Sequence, residues 1–346
     1  MPDAKYAFIT AYLKGQEAKL ITSEHFNRLS KVTSIQDAIL EIRDTSVGAY
    51  LEGLNINSFN DLDVSLWKYF GESLSYLQWL KLIPKDVSSL LKTYTVKYDI
   101  ANIKATIQSI ATDKKVTMIP VGEINEHGLL DELAAAGDIE NIAKILNECK
   151  LRDYTKVIEA YQTGEDKEAW LALDTGLDSL FYANLKKTVR KIGDASTLTK
   201  AIGMMIDITN LQTIMRAIIE ETTTRALGYL IKGGAHISSE TAGELLSVKI
   251  NELPTRLAGT LYAEALQDVV TEYEKSKNIS VITEIMGTQG FKLLRDMLSI
   301  KLLSTVTALW YVILKESEVR SLRLTLKAVF DKIPLEEIKK FVVFAA

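Results

Sequence analysis

The chain has 346 residues, of which 47% are hydrophobic and 25% charged, and its formal net charge is −4. These values are ordinary for a globular protein, and the length suggests roughly two domains of about 150 residues. The near balance of 41 basic and 45 acidic residues argues against a nucleic-acid partner, since phosphates attract proteins with an excess of Lys and Arg. A single cysteine, Cys149, cannot form an internal disulfide, which favours a reducing compartment.

The predicted elements are helices almost throughout, because 18 glycines and only five prolines provide little turn material. The first helix that the pattern indicates starts at Ser23 and carries a long apolar stripe, with spacings typical of one helical face. The stripe consists of Phe26, Leu29, Val32, Ile35, Ile39 and Ile42. Residues 115–121 are predicted to form a short extended connector, because Pro120 limits any strand there.

Further along the chain, a second stripe over residues 208–218 predicts another helix with one buried face. Residues 302–314 form a run of 13 uncharged residues, shorter than the roughly 20 residues that a membrane span needs. We therefore expect a buried helix there and no direct membrane span. Ser239 and Pro334 are predicted to start later helices.

An internal repeat organises the chain. A block of acid, aliphatic residue, any residue, Asn or Ser, aliphatic residue and polar residue begins at Asp99, Asp207 and Glu318, at intervals of 108 and 111 residues. A second pattern precedes the first two blocks and recurs after 104 positions, with a looser third copy. It consists of Leu20, Phe26, Leu29, Ile35, Ile42 and Tyr50, and then of Ile124, Leu130, Leu133, Ile139, Leu146 and Tyr154.

Two patterns in the same order predict an all-α fold of three similar helical units. The predicted domains are residues 1–118, 119–232 and 233–346. Residues 333–338 resemble the opening helix of a further unit. Such a closing helix is expected to pack beside the first unit and to close the three units into a ring.

The acid and the Asn of each block lie three residues apart and are therefore close together on a helix surface. The aliphatic positions, such as Ile100, Ile103 and Ile107, are predicted to be core. Two interpretations of the polar pair stand: a helix start or polar clasp between helices that duplication has repeated, or a ring of polar groups that faces a partner. In the second case the partner-binding candidates are Asp99, Asn102, Asp207, Asn210, Glu318 and Arg323.

No motif in the sequence indicates a catalytic site, a metal site or a cofactor. Gly233 and Gly234 lack the Lys-Ser/Thr that completes a phosphate-binding loop, and we expect them to end a helix. The three histidines are well separated, which argues against a zinc site, and Cys149 is predicted to be a core residue. The aromatic residues of segment 67–79 are predicted either to pack in the core or to form a partner-facing patch.

The three blocks YDIANIKATI, IDITNLQTIMRA and KESEVRSLRLTL resemble those of the C subunit of the archaeal A-type and bacterial V-type rotary ATPases. Its counterpart in the vacuolar enzymes is known as the d subunit. Residues 6–29 and 318–336 resemble the beginning and the end of the same family, so the resemblance spans nearly the whole chain. Ser321 stands where the third block more typically has Asn, and residues 271–291 match poorly.

The resemblance implies a funnel-shaped body of three helical domains around a pseudo-threefold axis, with a central cavity. It implies a non-catalytic central-stalk component that binds the central shaft subunits and the membrane proteolipid ring, and that transmits torque between ATP turnover and ion translocation. It also implies a cytoplasmic protein held at the membrane through the ATPase complex. Two other hypotheses are a soluble helical-repeat adaptor without a rotary role, and a helical enzyme with an unrecognised site.

Overall fold

The computed structural model describes residues 4–79, 83–112, 117–161 and 167–344. Within these ranges every regular element is a helix, which confirms the all-α prediction. Short 3-10 helices lie at Ala4–Tyr6, Ile250–Glu252 and Lys339–Phe341. Residues 117–121 of the predicted connector are not helical, and Lys115 and Val116 lie outside the described residues.

In the described ranges the α-helices form three successive series, each with four shorter helices followed by two longer ones. The first series is α1 (Ala7–Glu17), α2 (Ser23–Leu29), α3 (Ile35–Glu41), α4 (Ser46–Glu52), α5 (Phe59–Trp79) and α6 (Lys85–Thr112). The second is α7 (Glu123–Glu126), α8 (Leu130–Ala134), α9 (Ile139–Glu148), α10 (Arg152–Glu159), α11 (Lys167–Val189) and α12 (Ala195–Ile219). The third is α13 (Thr223–Tyr229), α14 (Ser239–Leu246), α15 (Leu253–Arg256), α16 (Ala263–Ser276), α17 (Ser280–Leu298) and α18 (Thr305–Asp331), and α19 (Leu335–Ile338) follows it.

Helix packing divides the chain into two compact units, Met1–Ile145 together with Lys301–Ala346, and Leu146–Ile300. In the first unit α18 packs against α1, α3, α5 and α6. In the second unit α12 packs against α11 and α17, and α17 also packs against α16. The division into three domains follows the sequence repeat and stays a prediction, as does the funnel.

The prediction of one helix for the first apolar stripe is wrong. The helix stops after Leu29 and a new one begins at Ile35. Ser34 explains the break, because its backbone is extended and its side chain accepts the N–H of Asp37 at 3.1 Å, as an N-cap does. The second stripe, residues 208–218, lies within α12 as predicted.

Residues 305–314 are all buried, which confirms most of the predicted buried helix. The helix begins three residues later than the apolar run, because Ser304 accepts the N–H of Val306 at 3.1 Å and caps α18. Leu302 stays outside the helix and is 55% exposed. Helix α18 packs against α1, α3, α5 and α6, which explains why residues on all of its faces are buried. Each large aliphatic side chain buried in this way contributes about 1.5–3 kcal/mol to the stability of the fold.

Core packing accounts for most of the aromatic run on α5. Trp67, Tyr69 and Phe70 are buried, whereas Tyr76 is exposed and stacks on Tyr12 with ring centroids 5.9 Å apart. The side chain of Trp79 lies outside the described residues. Cys149 is buried, as predicted for a core residue. No helix in the described part of the chain is both long and apolar enough to cross a membrane.

Candidate functional site

The first repeated block lies on α6, where Asn102 holds the connector that follows the helix. Its side-chain amide donates to the carbonyl of Ile119 at 2.9 Å, and its Oδ1 accepts the N–H of Ile119 at 2.8 Å. An amide carries a donor and an acceptor side by side, so one Asn satisfies both backbone groups, as a neighbouring strand would. Asn102 is only 1% exposed. Backbone groups buried without a partner would cost about 1–3 kcal/mol each.

Asp99, one turn earlier on α6, holds the beginning of α7. Its two carboxylate oxygens accept the N–H groups of Glu123 at 2.9 Å and Ile124 at 3.0 Å. These N–H groups have no partner within their own helix, because the first turn of a helix lacks preceding carbonyls. Burial raises the pKa of Asp99 to about 8, although the hydrogen bonds from Ile124 and Glu123 lower it. We call this arrangement the first clasp: Asp99 and Asn102 on one helix, bonded to the backbone of the following linker.

The second clasp repeats this geometry in the second compact unit. On α12, Asn210 donates to the carbonyl of Ile231 at 2.8 Å and accepts its N–H at 2.9 Å. Both residues are buried. The held residue again lies in a linker, here the one between α13 and α14.

Asp207 completes the second clasp and is fully buried. Its carboxylate accepts the backbone N–H groups of Ala235, His236 and Ile237 at 3.1, 2.7 and 3.2 Å. The hydroxyl of Tyr262 donates a fourth hydrogen bond at 2.8 Å. Burial raises the pKa of Tyr262, and so does the Asp207 charge, which keeps the hydroxyl protonated as a donor.

The position of Gly233 and Gly234 corrects the prediction that they end a helix. Helix α13 already ends at Tyr229, and both glycines lie in the linker of the second clasp. A Cβ at residue 234 would lie 1.9 Å from Oδ1 of Asp207, so the absence of a side chain lets the linker backbone reach the carboxylate.

The third block lies on α18 and holds two segments that are distant in sequence. Ser321 Oγ donates to the carbonyl of Val343 at 2.8 Å and accepts its N–H at 3.1 Å. Glu318 Oε1 accepts the N–H of Ile21 at 2.9 Å. We call this the third clasp.

Lys315 accompanies Glu318 in the third clasp. Its Nζ lies 2.9 Å from Glu318 Oε2, and both side chains are 3% exposed. Lys315 also bonds to the hydroxyl of Tyr69. Burial lowers the pKa of Lys315, whereas the Glu318 charge opposes that shift. A buried charge requires a partner, so these groups depend on each other.

Arg323, the last of the six candidates, is exposed and pairs with the buried Asp63 of α5. Its Nη2 donates to Asp63 Oδ2 at 3.1 Å, and its Nε contacts the other carboxylate oxygen. A planar guanidinium matches a carboxylate in this two-point geometry. Arg323 therefore fixes α18 on α5.

A further network, around the buried Glu316 of α18, is not indicated by the sequence pattern. Glu316 accepts from Lys97 at 2.6 Å, from Tyr98 at 2.9 Å and from Arg320 at 3.0 Å. Burial raises the pKa of Glu316, but the charges of Lys97 and Arg320 outweigh it and lower the pKa to about 2. The carboxylate thus links α18 to α6.

Asp99 holds the start of a helix, as the first interpretation of the repeated block allows, but the other polar groups bond to linker backbone and not to a second helix, as a clasp between helices would. Asp99, Asn102, Asp207, Asn210 and Glu318 are buried and bond to the backbone of their own chain. Ile100, Ile103 and Ile107 are core residues, as predicted. A partner-facing role for the six candidates stays a prediction. Within the described ranges, no group of three or more His, Cys, Asp or Glu is arranged to hold a metal ion.

The three helical series and their clasped linkers define this protein as an all-helical scaffold built from an internal repeat. Its repeated polar side chains hold the backbone of its own linkers. The chain belongs to the ATP synthase (C/AC39) subunit family, whose model matches residues 9–341. It is therefore a component of a rotary ATPase.

Relatives match over nearly the whole chain. The C subunit of the A-type ATP synthase of Methanocaldococcus jannaschii is 24% identical over 98% of this chain and 86% of the relative. The protein of the same name from Pyrococcus abyssi is 25% identical over 97% of this chain and 90% of the relative. That from Thermococcus kodakarensis is also 25% identical, over the same shares.

Proposed function

We propose that this chain is the non-catalytic central-stalk component of an A-type or V-type ATPase. It links the central shaft to the membrane proteolipid ring and transmits torque between ATP turnover and ion translocation. The observation that carries the proposal is the family match over residues 9–341, together with relatives named as the C subunit of the A-type ATP synthase. In this role the protein is cytoplasmic and is held at the membrane through the complex.

Torque transmission requires a stiff body more than a catalytic group. Tightly packed helices resist deformation, because protein interiors are as dense as organic crystals. The clasps support this requirement at the linkers, where a repeat protein would otherwise bend. Asn102 and Asn210 each hold both backbone groups of one linker residue, and Asp99 and Asp207 hold the start of the segment that follows.

The energy of the ion-transfer steps is compatible with binding interfaces of ordinary size. Moving one charge through 100 mV is worth about 2.3 kcal/mol. An interface that buries about 1,000 Å² of apolar surface corresponds to roughly 25 kcal/mol before the costs of association. A stalk protein can therefore stay bound to shaft and ring through several ion-transfer steps.

Affinity purification of the tagged chain from its source cells, followed by native mass spectrometry, tests the proposal. We expect the chain in one complex with shaft subunits and the proteolipid ring. A tagged Gly234→Ala chain serves as the control, because the substitution disturbs the second clasp and leaves the tag unchanged. A stable, exclusive complex with unrelated proteins would instead support the adaptor, and turnover of a nucleotide by the isolated chain would support an enzyme.

A further inference from the structure

In each of the three clasps, one polar side chain binds both backbone groups of a single residue. Asn102, Asn210 and Ser321 each bond to the N–H and the C=O of a single residue, located 17, 21 and 22 positions later. The held residue is Ile119, Ile231 or Val343. Side-chain recognition of both backbone groups is thus a repeated property of α6, α12 and α18.

The third clasp differs in what its acid holds. Asp99 accepts N–H groups 24 and 25 positions later, and Asp207 accepts N–H groups 28 to 30 positions later. Glu318 accepts the N–H of Ile21, which lies 297 positions earlier. The first clasp and the second clasp therefore each hold one continuous linker. The third clasp holds two segments that are separate in sequence, and it attaches both of them to α18.

We propose that residues 342–344 form a releasable strap, which together with the segment around Ile21 makes a third, non-covalent linker on α18. Val342 has an extended backbone, with φ −106° and ψ 135°, the conformation that presents N–H and C=O groups sideways. Phe344 lies against Phe26 of α2, with ring centroids 5.5 Å apart. The strap thus lies between the helix that binds it and the helix that follows Ile21.

The strap is released more easily than the other two linkers. The hydroxyl of Ser321 makes both hydrogen bonds of Val343, and residues 341–344 are only half-buried. Asn102 and Asn210 use two side-chain atoms each, and an acid holds further N–H groups of the same linker, those of Glu123 and Ile124 or of residues 235–237. Segments with few buried contacts open locally at a small fraction of the global unfolding free energy. Opening of the strap uncovers Phe26 and the Ser321 hydroxyl while α18 stays packed.

Hydrogen–deuterium exchange on the full chain tests the strap, with Ser321→Ala as the variant and Ser317→Ala, one turn earlier on α18, as the control. We expect roughly tenfold faster exchange in residues 342–344 and in α2 for Ser321→Ala, because Val343 loses both of its hydrogen bonds to Ser321. Exchange at residues 119–124 and 231–237 should match the unsubstituted chain. Equal exchange in the two Ser variants would overturn the proposal, as would equal acceleration at residues 231–237.

A second variant, Phe344→Ala, tests the contact with α2 without changing α18. We expect it to accelerate exchange in α2 as well as in the strap. If only the strap responds, residues 342–344 do not join α2 to α18, and the non-covalent linker is refuted. This variant also decides the matter if Ser321→Ala does not fold.

Discussion

Gly234 lies so close to Asp207 that a Cβ at residue 234 would stand 1.9 Å from Oδ1 of the carboxylate. The same relationship occurs in the other compact unit, where a Cβ on Gly122 would lie 2.4 Å from the carboxylate oxygens of Asp99. Gly122 also has φ +107°, which side chains rarely allow. Each of these two clasps therefore requires a glycine beside its acid.

Replacing Gly234 by Ala is expected to lower the free energy of unfolding by about 2 kcal/mol or more, because backbone and a buried carboxylate must move apart. The matched control is Gly243→Ala on α14, where a Cβ would meet its nearest neighbour at 3.8 Å. That substitution should be neutral or stabilise by up to about 1 kcal/mol. Urea unfolding followed by circular dichroism measures both, and equal effects would refute the close approach.

Removing the amide of Asn210 should destabilise the second unit. In Asn210→Ala the buried N–H and C=O of Ile231 both lose their partner, at a cost of about 2–4 kcal/mol. Asn141 is exposed, and its side chain bonds to Asp138 on the surface. Apart from the difference in helix propensity between Asn and Ala, Asn141→Ala should change the free energy of unfolding by less than about 0.5 kcal/mol. A loss for Asn210→Ala as small as this would show that the amide does not hold the linker.

The raised pKa of Asp99 predicts a pH dependence. An unfolded Asp has a pKa of about 3.9, whereas that of Asp99 in the folded chain is about 8. The folded state thus binds the proton more tightly, so this contribution to stability is complete below about pH 4 and is lost as the pH rises through about 8.

Asp99→Asn cannot titrate, and its free energy of unfolding should fall less between pH 5 and pH 9 than that of the unsubstituted chain. Asp131→Asn, which changes an exposed residue of α8, should keep the original slope. Denaturation curves at several pH values check this. An unchanged slope in Asp99→Asn would mean that Asp99 stays ionised across the range.

The double substitution of Asp207 and Asn210 by Ala separates the two interpretations of the repeated block. The clasp predicts a destabilised chain whose binding to shaft or ring declines only as its folded fraction declines. A partner-facing role predicts intact folding with weakened binding. Thermal unfolding and binding measured on the same samples distinguish these outcomes.

The helical class and the positions of the clasps could be predicted from the sequence, because both depend on local spacing. Acid and Asn three residues apart must share a helical surface, and the three copies mark them as a set. That the polar groups face the chain's own backbone could not be predicted, since the partner of Asp207 lies 28 to 30 residues away in a linker without periodicity.

Some features of the third clasp had no local signal at all. Glu318 and Ile21 are 297 residues apart, so only tertiary packing brings them together.

The break between α2 and α3 is not indicated by the apolar spacing, because that spacing continues through Ser34 while the Ser34 side chain caps a new helix. Local hydrogen-bonding chemistry outweighed periodicity there.

The proposed coupling of ATP turnover to ion translocation can be tested by removing this chain from the purified ATPase complex and then restoring it. ATP hydrolysis by the catalytic head and ion translocation into vesicles are measured on the same preparation. We expect hydrolysis to persist without the chain, translocation to be lost, and addition of the folded chain to restore translocation. Translocation that continues at the full rate in the absence of the chain would refute the proposed coupling role.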